Sequence, residues 1–160
     1  MCSSDLERLY VARSGTSATN TTAVALSAAT PKTVVGVLGA ASDTLSMVRL
    51  EVSFDGVTAT AVPAVVELGI ITALGTTTAF TPVQSTGSPA ASSATAGYNA
   101  TVEPTYSRIL WSRYVPVTMG LLLEWVPLGE EPLAAVSQGF GVRVTAPAAV
   151  NCLASITYAE

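Results

Sequence analysis

The sequence predicts an all-β fold: a single β-sandwich, jelly-roll-like, carrying an extended N-terminal arm. Three observations lead there. Short alternating or β-branched runs recur along the chain between Gly, Pro, Asn and Asp turn signals. No stretch carries a convincing helical period. Charged residues fill only 11 % of 160 positions, against about 25 % in an ordinary soluble domain. One domain is the natural count at this length, and a core of this size needs neither a metal nor a disulfide.

Residues 1–31 read as the arm and residues 32–160 as the sandwich. In the arm a small apolar cluster (Leu6, Leu9, Tyr10 and Val11) precedes a Ser/Thr/Ala run that buries little. The cluster is read either as part of a frayed tail or as a tether that orders against a neighbour. From Lys32 the strands begin, with Thr33 to Leu38 β-branched and closed by Gly39. Ser46 to Phe54 has the clearest period of two. It sets Val48, Leu50, Val52 and Phe54 on one face and Met47, Arg49, Glu51 and Ser53 on the other. Asp55-Gly56 then supplies a hairpin-type turn. Ala64 to Thr72 is almost wholly apolar, as expected of a strand buried on both faces.

Gly75 to Asn99 is rich in Thr, Ser, Ala, Gly and Pro, and reads mostly as a long surface loop with one short strand near Thr78 to Val83. Strands resume at Thr101 to Glu103, Ser107 to Val115, Leu121 to Val126, Gly139 to Val144 and Asn151 to Tyr158. Eight or nine short strands between Pro/Gly turns point to a sandwich.

The chemistry-bearing residues are few. The chain contains no histidine, so it cannot itself build a Ser-His-Asp or Cys-His arrangement. Glu51, Glu67, Glu103 and Glu124 could pair for glycoside hydrolysis, but Glu124 and its neighbour Trp125 should face opposite sides of a strand. Glu130 and Glu131 share a turn that reads as solvated, since calcium needs more oxygen ligands than are nearby. Trp111, Tyr114 and Trp125 read as core and edge packing, with an aromatic binding patch as the competing reading. Cys2 and Cys152 form no disulfide framework or metal spacing, and Cys152 reads as a small core residue. Asn20-Thr21-Thr22 and Asn99-Ala100-Thr101 match a glycosylation sequon that a Thr-rich chain produces by chance.

No cofactor is expected. With a net charge of −4 and scattered basic residues, nucleic acid is not an expected partner. A membrane is not expected either, because Leu68 to Val102, the longest uncharged stretch, is cut throughout by Thr, Ser, Gly and Pro. The N-terminus has no basic segment followed by an apolar one, so the chain is expected to be made in a cytoplasm.

The C-terminal part carries a resemblance. Its segments run Thr101-Val102-Glu103-Pro104-Thr105-Tyr106, Arg108-Ile109-Leu110-Trp111 and Leu123-Glu124-Trp125-Val126-Pro127-Leu128-Gly129. Gly141-Val142-Arg143-Val144-Thr145-Ala146-Pro147-Ala148-Ala149-Val150-Asn151 follows, before a final strand. This order resembles small structural proteins of tailed bacteriophages, particularly those infecting actinobacteria, over roughly residues 100–160. The resemblance implies a capsid decoration (cement) protein on the exterior of the virion. It would be a homotrimer bridging neighbouring copies of the major capsid protein. The family supplies no residue-level binding motif. From pattern alone, Leu6, Leu9, Tyr10, Val11 and Arg13 are the expected capsid contacts, and Arg49, Glu51, Arg108 and Arg113 the expected inter-subunit contacts. A tail- or fibre-associated protein and a carbohydrate-binding module remain the alternatives.

Overall fold

The structure, a computed structural model, describes residues 8–15, 22–57, 60–85 and 91–160. Among these there are thirteen strands and no helix, and the strands form two antiparallel sheets packed face to face. The seven-stranded sheet has at its centre β4 (Leu45–Phe54) and β13 (Val150–Ala159). β1 (Leu9–Arg13), β7 (Val83–Gln84) and β10 (Leu121–Trp125) complete the order β10-β4-β13-β1-β7. β2 (Val24–Leu26) pairs with β13, and β11 (Leu133–Ala134) pairs with β4. The six-stranded sheet runs β6 (Thr76–Phe80), β8 (Thr95–Val102), β3 (Lys32–Leu38), β12 (Gly139–Thr145), β5 (Ala64–Ala73) and β9 (Thr105–Val115).

Alternation of apolar residues on the inward faces builds the core. Phe140, Tyr158, Tyr10, Leu68, Leu50 and Ile156 are among its large, fully buried members. In β4, Leu50, Val52 and Phe54 face inward as alternation predicts, but N-terminal to them Met47 and Leu45 are inward and Val48 is not. The cause is a β-bulge. Arg49 pairs with Thr157 and Met47 with the next residue, Tyr158, so Val48 is skipped and the parity flips. Of the Ala64–Thr72 run expected to be buried on both faces, Leu68 to Ile71 are, whereas Val65 and Glu67 are half-buried and Thr72 is exposed.

Three expectations change with the structure. Residues 9–13 are not an arm but strand β1, hydrogen-bonded between β13 and β7, and β2 continues along the same edge of β13. Burial alternates along Leu9–Arg13, with Tyr10 and Ala12 pointing into the core. The Gly75–Asn99 segment holds β6, β7 and the start of β8, because its β-branched threonines pair well on a sheet. Asp55-Gly56 is not a hairpin, since β4 and β5 lie in different sheets. Both Asp55 carboxylate oxygens instead accept hydrogen bonds from Asn151, from its backbone N–H (3.0 Å) and from its side-chain amide (2.8 Å). These bonds hold the Asp55 carboxyl below its ordinary pKa. Cys152 is buried, which pushes its thiol up to about 12; Cys2 lies outside the described residues.

Outward on the six-stranded sheet, four glycines stand in register across adjacent strands: Gly97, Gly36, Gly141 and Gly69. Side chains of the same chain fill the trough. A Cβ on Gly141 would lie 2.6 Å from the Tyr106 hydroxyl, and one on Gly69 2.6 Å from its ring. Leu74 lies against Gly36 and Thr77 against Gly97 in the same way. The Tyr106 hydroxyl meets the Thr33 hydroxyl at 2.8 Å, and Thr33 is buried. Here β8 pairs with β3 only from Thr95 to Tyr98, and Asn99 turns to a φ of 54°. The Glu103 carboxylate takes over, accepting from the Thr33 N–H at 3.0 and 3.1 Å and from its hydroxyl at 2.5 Å. Arg143 stacks 4.9 Å from the Tyr106 ring centre and bonds Glu67 at 2.8 Å.

Candidate functional site

Among the described residues, no segment roofs the opposite outer face. It is built from alternate residues of four neighbouring strands: Leu121, Leu123 and Trp125 of β10, Arg49, Glu51 and Ser53 of β4, Leu153 and Ser155 of β13, and Val11 and Arg13 of β1. The registers Leu121–Ser53–Leu153, Leu123–Glu51–Ser155–Arg13 and Trp125–Arg49–Thr157–Val11 set them in rows. A shallow concavity of about 340 Å³ lies between Leu121, Leu153, Arg13, Arg49 and Glu51.

Its electrostatics are local. Arg49 and Glu51 form an ion pair at 3.3 Å, and the Ser155 hydroxyl donates to Glu51 at 3.0 Å. The Arg49 guanidinium also sits 4.9 Å from the Trp125 ring centre. Beside these charges the β10 row is apolar and wet: Leu121 is 65 % exposed, Leu123 45 % and Trp125 60 %.

β10 is also an open edge. The Phe54 N–H donates to the Gly120 carbonyl, and the Val126 N–H to the Val48 carbonyl, each at 3.0 Å. Backbone groups in an antiparallel ladder alternate in direction. Hence Gly120, Leu122, Glu124 and Val126 turn theirs to β4. Leu121, Leu123 and Trp125 turn theirs away, where no strand pairs among the described residues. Pro127, lacking an N–H, ends the open stretch.

The expected site residues do not share one location. Val11, Arg13, Arg49 and Glu51 come together on this face. Arg108 and Arg113 lie apart on β9, Arg108 exposed and Arg113 paired with Glu124 at 3.6 Å and stacked 4.8 Å from the Trp111 ring centre. Tyr10 is fully buried, its ring stacked on Tyr158 at 5.8 Å, so it touches no partner. Leu9 begins β1, its carbonyl held by the Ser85 N–H at 2.8 Å, and Leu6 lies outside the described residues.

Packing does not hold the aromatics equally. Trp111 packs against the core, while Trp125 and Tyr114, the latter 77 % exposed, stand out from it. Leu121, Leu123 and Leu153 are members that sequence reasoning missed. The Leu121-Leu122-Leu123 run gives no alternation to say which residues face outward. The nearest signal was the bracketing Gly120 and Pro127.

The carboxylates considered for hydrolysis are each engaged elsewhere: Glu51 with Arg49, Glu67 with Arg143, Glu103 with Thr33 and Glu124 with Arg113. Glu131 accepts from the Gly129 N–H at 2.7 Å within its turn. No cluster of three or more Asp, Glu or Cys side chains that could hold a metal occurs among the described residues. The surface is therefore equipped to bind by burial of apolar area and by strand pairing. Comparison with protein-family models, with curated proteins and with solved structures finds no match to the chain.

Proposed function

We propose that the chain is a structural virion protein of a tailed bacteriophage, decorating the capsid exterior and bridging neighbouring major capsid proteins as an oligomer. The observation that supports this reading best is the unroofed face of the seven-stranded sheet, where an apolar row and an ion pair border an open edge. Contiguous exposed apolar surface of this kind marks an interaction site, and a stiff sandwich holds it in a fixed geometry suited to a repeating lattice. The resemblance of residues 100–160 to phage structural proteins supplies the partner.

The test is co-sedimentation of the purified protein with undecorated heads. Saturable binding at hundreds of copies per head is the expected result; no binding, or binding in a few copies at one vertex, overturns it. The second outcome would favour a tail-associated part. Removing residues 1–7, which precede β1, tests the tether. Truncation through Arg13 would instead strip a paired strand from the sheet. A second reading, a carbohydrate-binding module, draws on the exposure of Trp125 and Tyr114. Quenching of tryptophan fluorescence by host cell-wall glycans would support it, although Arg49 already covers one side of the Trp125 ring.

A further inference from the structure

We infer that β10 is a self-recognition strand, pairing antiparallel with β10 of a second copy across a two-fold axis at Leu123. The inference deepens the oligomeric part of the proposed function, and it rests on the edge geometry whether or not the protein binds heads.

The occupant follows from the strand's own complementarity. Only Leu121, Leu123 and Trp125 direct N–H and C=O groups to the open edge. In an antiparallel pair, residues that face each other through hydrogen bonds exchange both of them. Centred on Leu123, the pairing sets Leu123 opposite Leu123 and Leu121 opposite Trp125 of the second copy. Every outward backbone group of the three residues then finds a partner. The same pairing closes the apolar row on itself, because these three side chains all stand on the outer face. Leucine meets leucine at the axis, and each tryptophan meets a leucine.

Neighbouring registers fail. Centring on Glu124 sets two carboxylates directly opposite, which destabilises a strand pair. Centring on Leu122 puts Trp125 opposite Met119, which has a φ of 50° and lies outside the strand. At the Leu123 register Glu124 faces Leu122 and keeps its own Arg113. The short open edge, ended by Pro127, thus fits one register with its own copy. The two seven-stranded sheets would merge into one continuous sheet, and the isologous pair replaces the trimer expected from the resemblance.

The experiment is light scattering of the full chain over a concentration series, beside backbone amide hydrogen exchange. The wild type is expected at twice the chain mass, and Leu123→Lys, which places two like charges at the axis, at the chain mass. Leu121→Lys and Trp125→Glu should each weaken the dimer at least ten-fold. The double variant should recover it, because position 121 faces position 125 of the other copy. A wild-type monomer or trimer, or a dimer unaffected by Leu123→Lys, overturns the proposal. Should Leu123→Lys misfold, exchange in the wild type still decides. Amides of Leu121, Leu123 and Trp125 should gain protection as concentration rises, while those of Leu122 and Glu124 stay protected throughout; equal behaviour of the two sets refutes the pairing. Co-sedimentation of folded Leu123→Lys with heads reads capsid binding separately from dimerisation.

Discussion

On the six-stranded sheet the outward glycines are roofed by Tyr106, Leu74 and Thr77 of the same chain, whereas on the seven-stranded sheet Leu121, Leu123 and Trp125 stand in water. Both faces belong to one sandwich with one core. The difference lies in who supplies the cover. On the roofed face the chain spends small residues to make room, then holds Tyr106 through Thr33, itself bonded by Glu103, and through the stacked Arg143. On the bare face it places large apolar residues that, among the described residues, only the Arg49 guanidinium beside Trp125 partly covers. A chain that roofs one outer face and leaves the other open distinguishes a surface made for stability from one made for association.

The largest expected effect comes from removing the roof. Tyr106→Ala opens the trough over Gly69 and Gly141 and strips the Thr33 hydroxyl and Arg143 of their contact. Loss of a well-packed aromatic costs about 3 kcal/mol or more. Urea denaturation should show a fall of that size at unchanged slope. A change under about 1 kcal/mol would mean that the roof is decoration and that the contrast between the faces is false.

Glu103→Ala should come next. It leaves the buried Thr33 N–H without its acceptor, while the Thr33 hydroxyl keeps only Tyr106, a desolvation cost of about 1–3 kcal/mol. The equivalent change on the bare face, Glu51→Ala, breaks a half-exposed ion pair and should cost about 0–1 kcal/mol. Equal losses in the two variants would erase the distinction.

Part of this contrast was legible in the sequence. The sandwich was, because alternation in β4 and the β-branched run of β3 are local consequences of strand geometry. The face of Met47 and Val48 was not, since a bulge is set by the partner strand β13. Nor was the strand nature of Leu9–Arg13 beside a Ser/Thr/Ala run, because three or four residues of period two gain meaning only once a neighbour pairs with them. Gly36, Gly69, Gly97 and Gly141 are far apart along the chain, and only the sheet registers bring them into a row. The bare face was half legible. Val11, Arg13, Arg49 and Glu51 were named from pattern, under two different expected roles, and share one surface. Leu121 and Leu123 were hidden in an apolar run with no alternation.

Alkaline titration should separate the faces by a smaller, graded effect. Burial raises the Tyr106 hydroxyl above its ordinary pKa, so the folded state holds a proton that the unfolded chain releases near pH 10. The stability tied to that proton is full below pH 10 and is lost as the pH climbs toward the folded value. For one group the loss is about 1.4 kcal/mol per pH unit. Tyr106→Phe removes that contribution, so its stability should fall less steeply above pH 10 than that of the wild type. Parallel curves would show that the hydroxyl is not held by the fold.

The smallest change in stability is expected where the surface is most apolar. Trp125→Ala removes a ring that is 60 % exposed and whose partner is the Arg49 guanidinium. An exposed cation–π contact is worth about 0.5–1 kcal/mol, so the melting midpoint of the isolated chain should move little, measured at a concentration too low for self-association. The same substitution should be costly to assembly, because Trp125 faces Leu121 of a second copy in the proposed register. A side chain whose loss leaves the fold nearly intact and weakens association belongs energetically to the partner it meets. If Trp125→Ala instead lowered the stability of the monomer as much as Tyr106→Ala, the bare face would be part of the core by another route, and its exposure would carry no message about assembly.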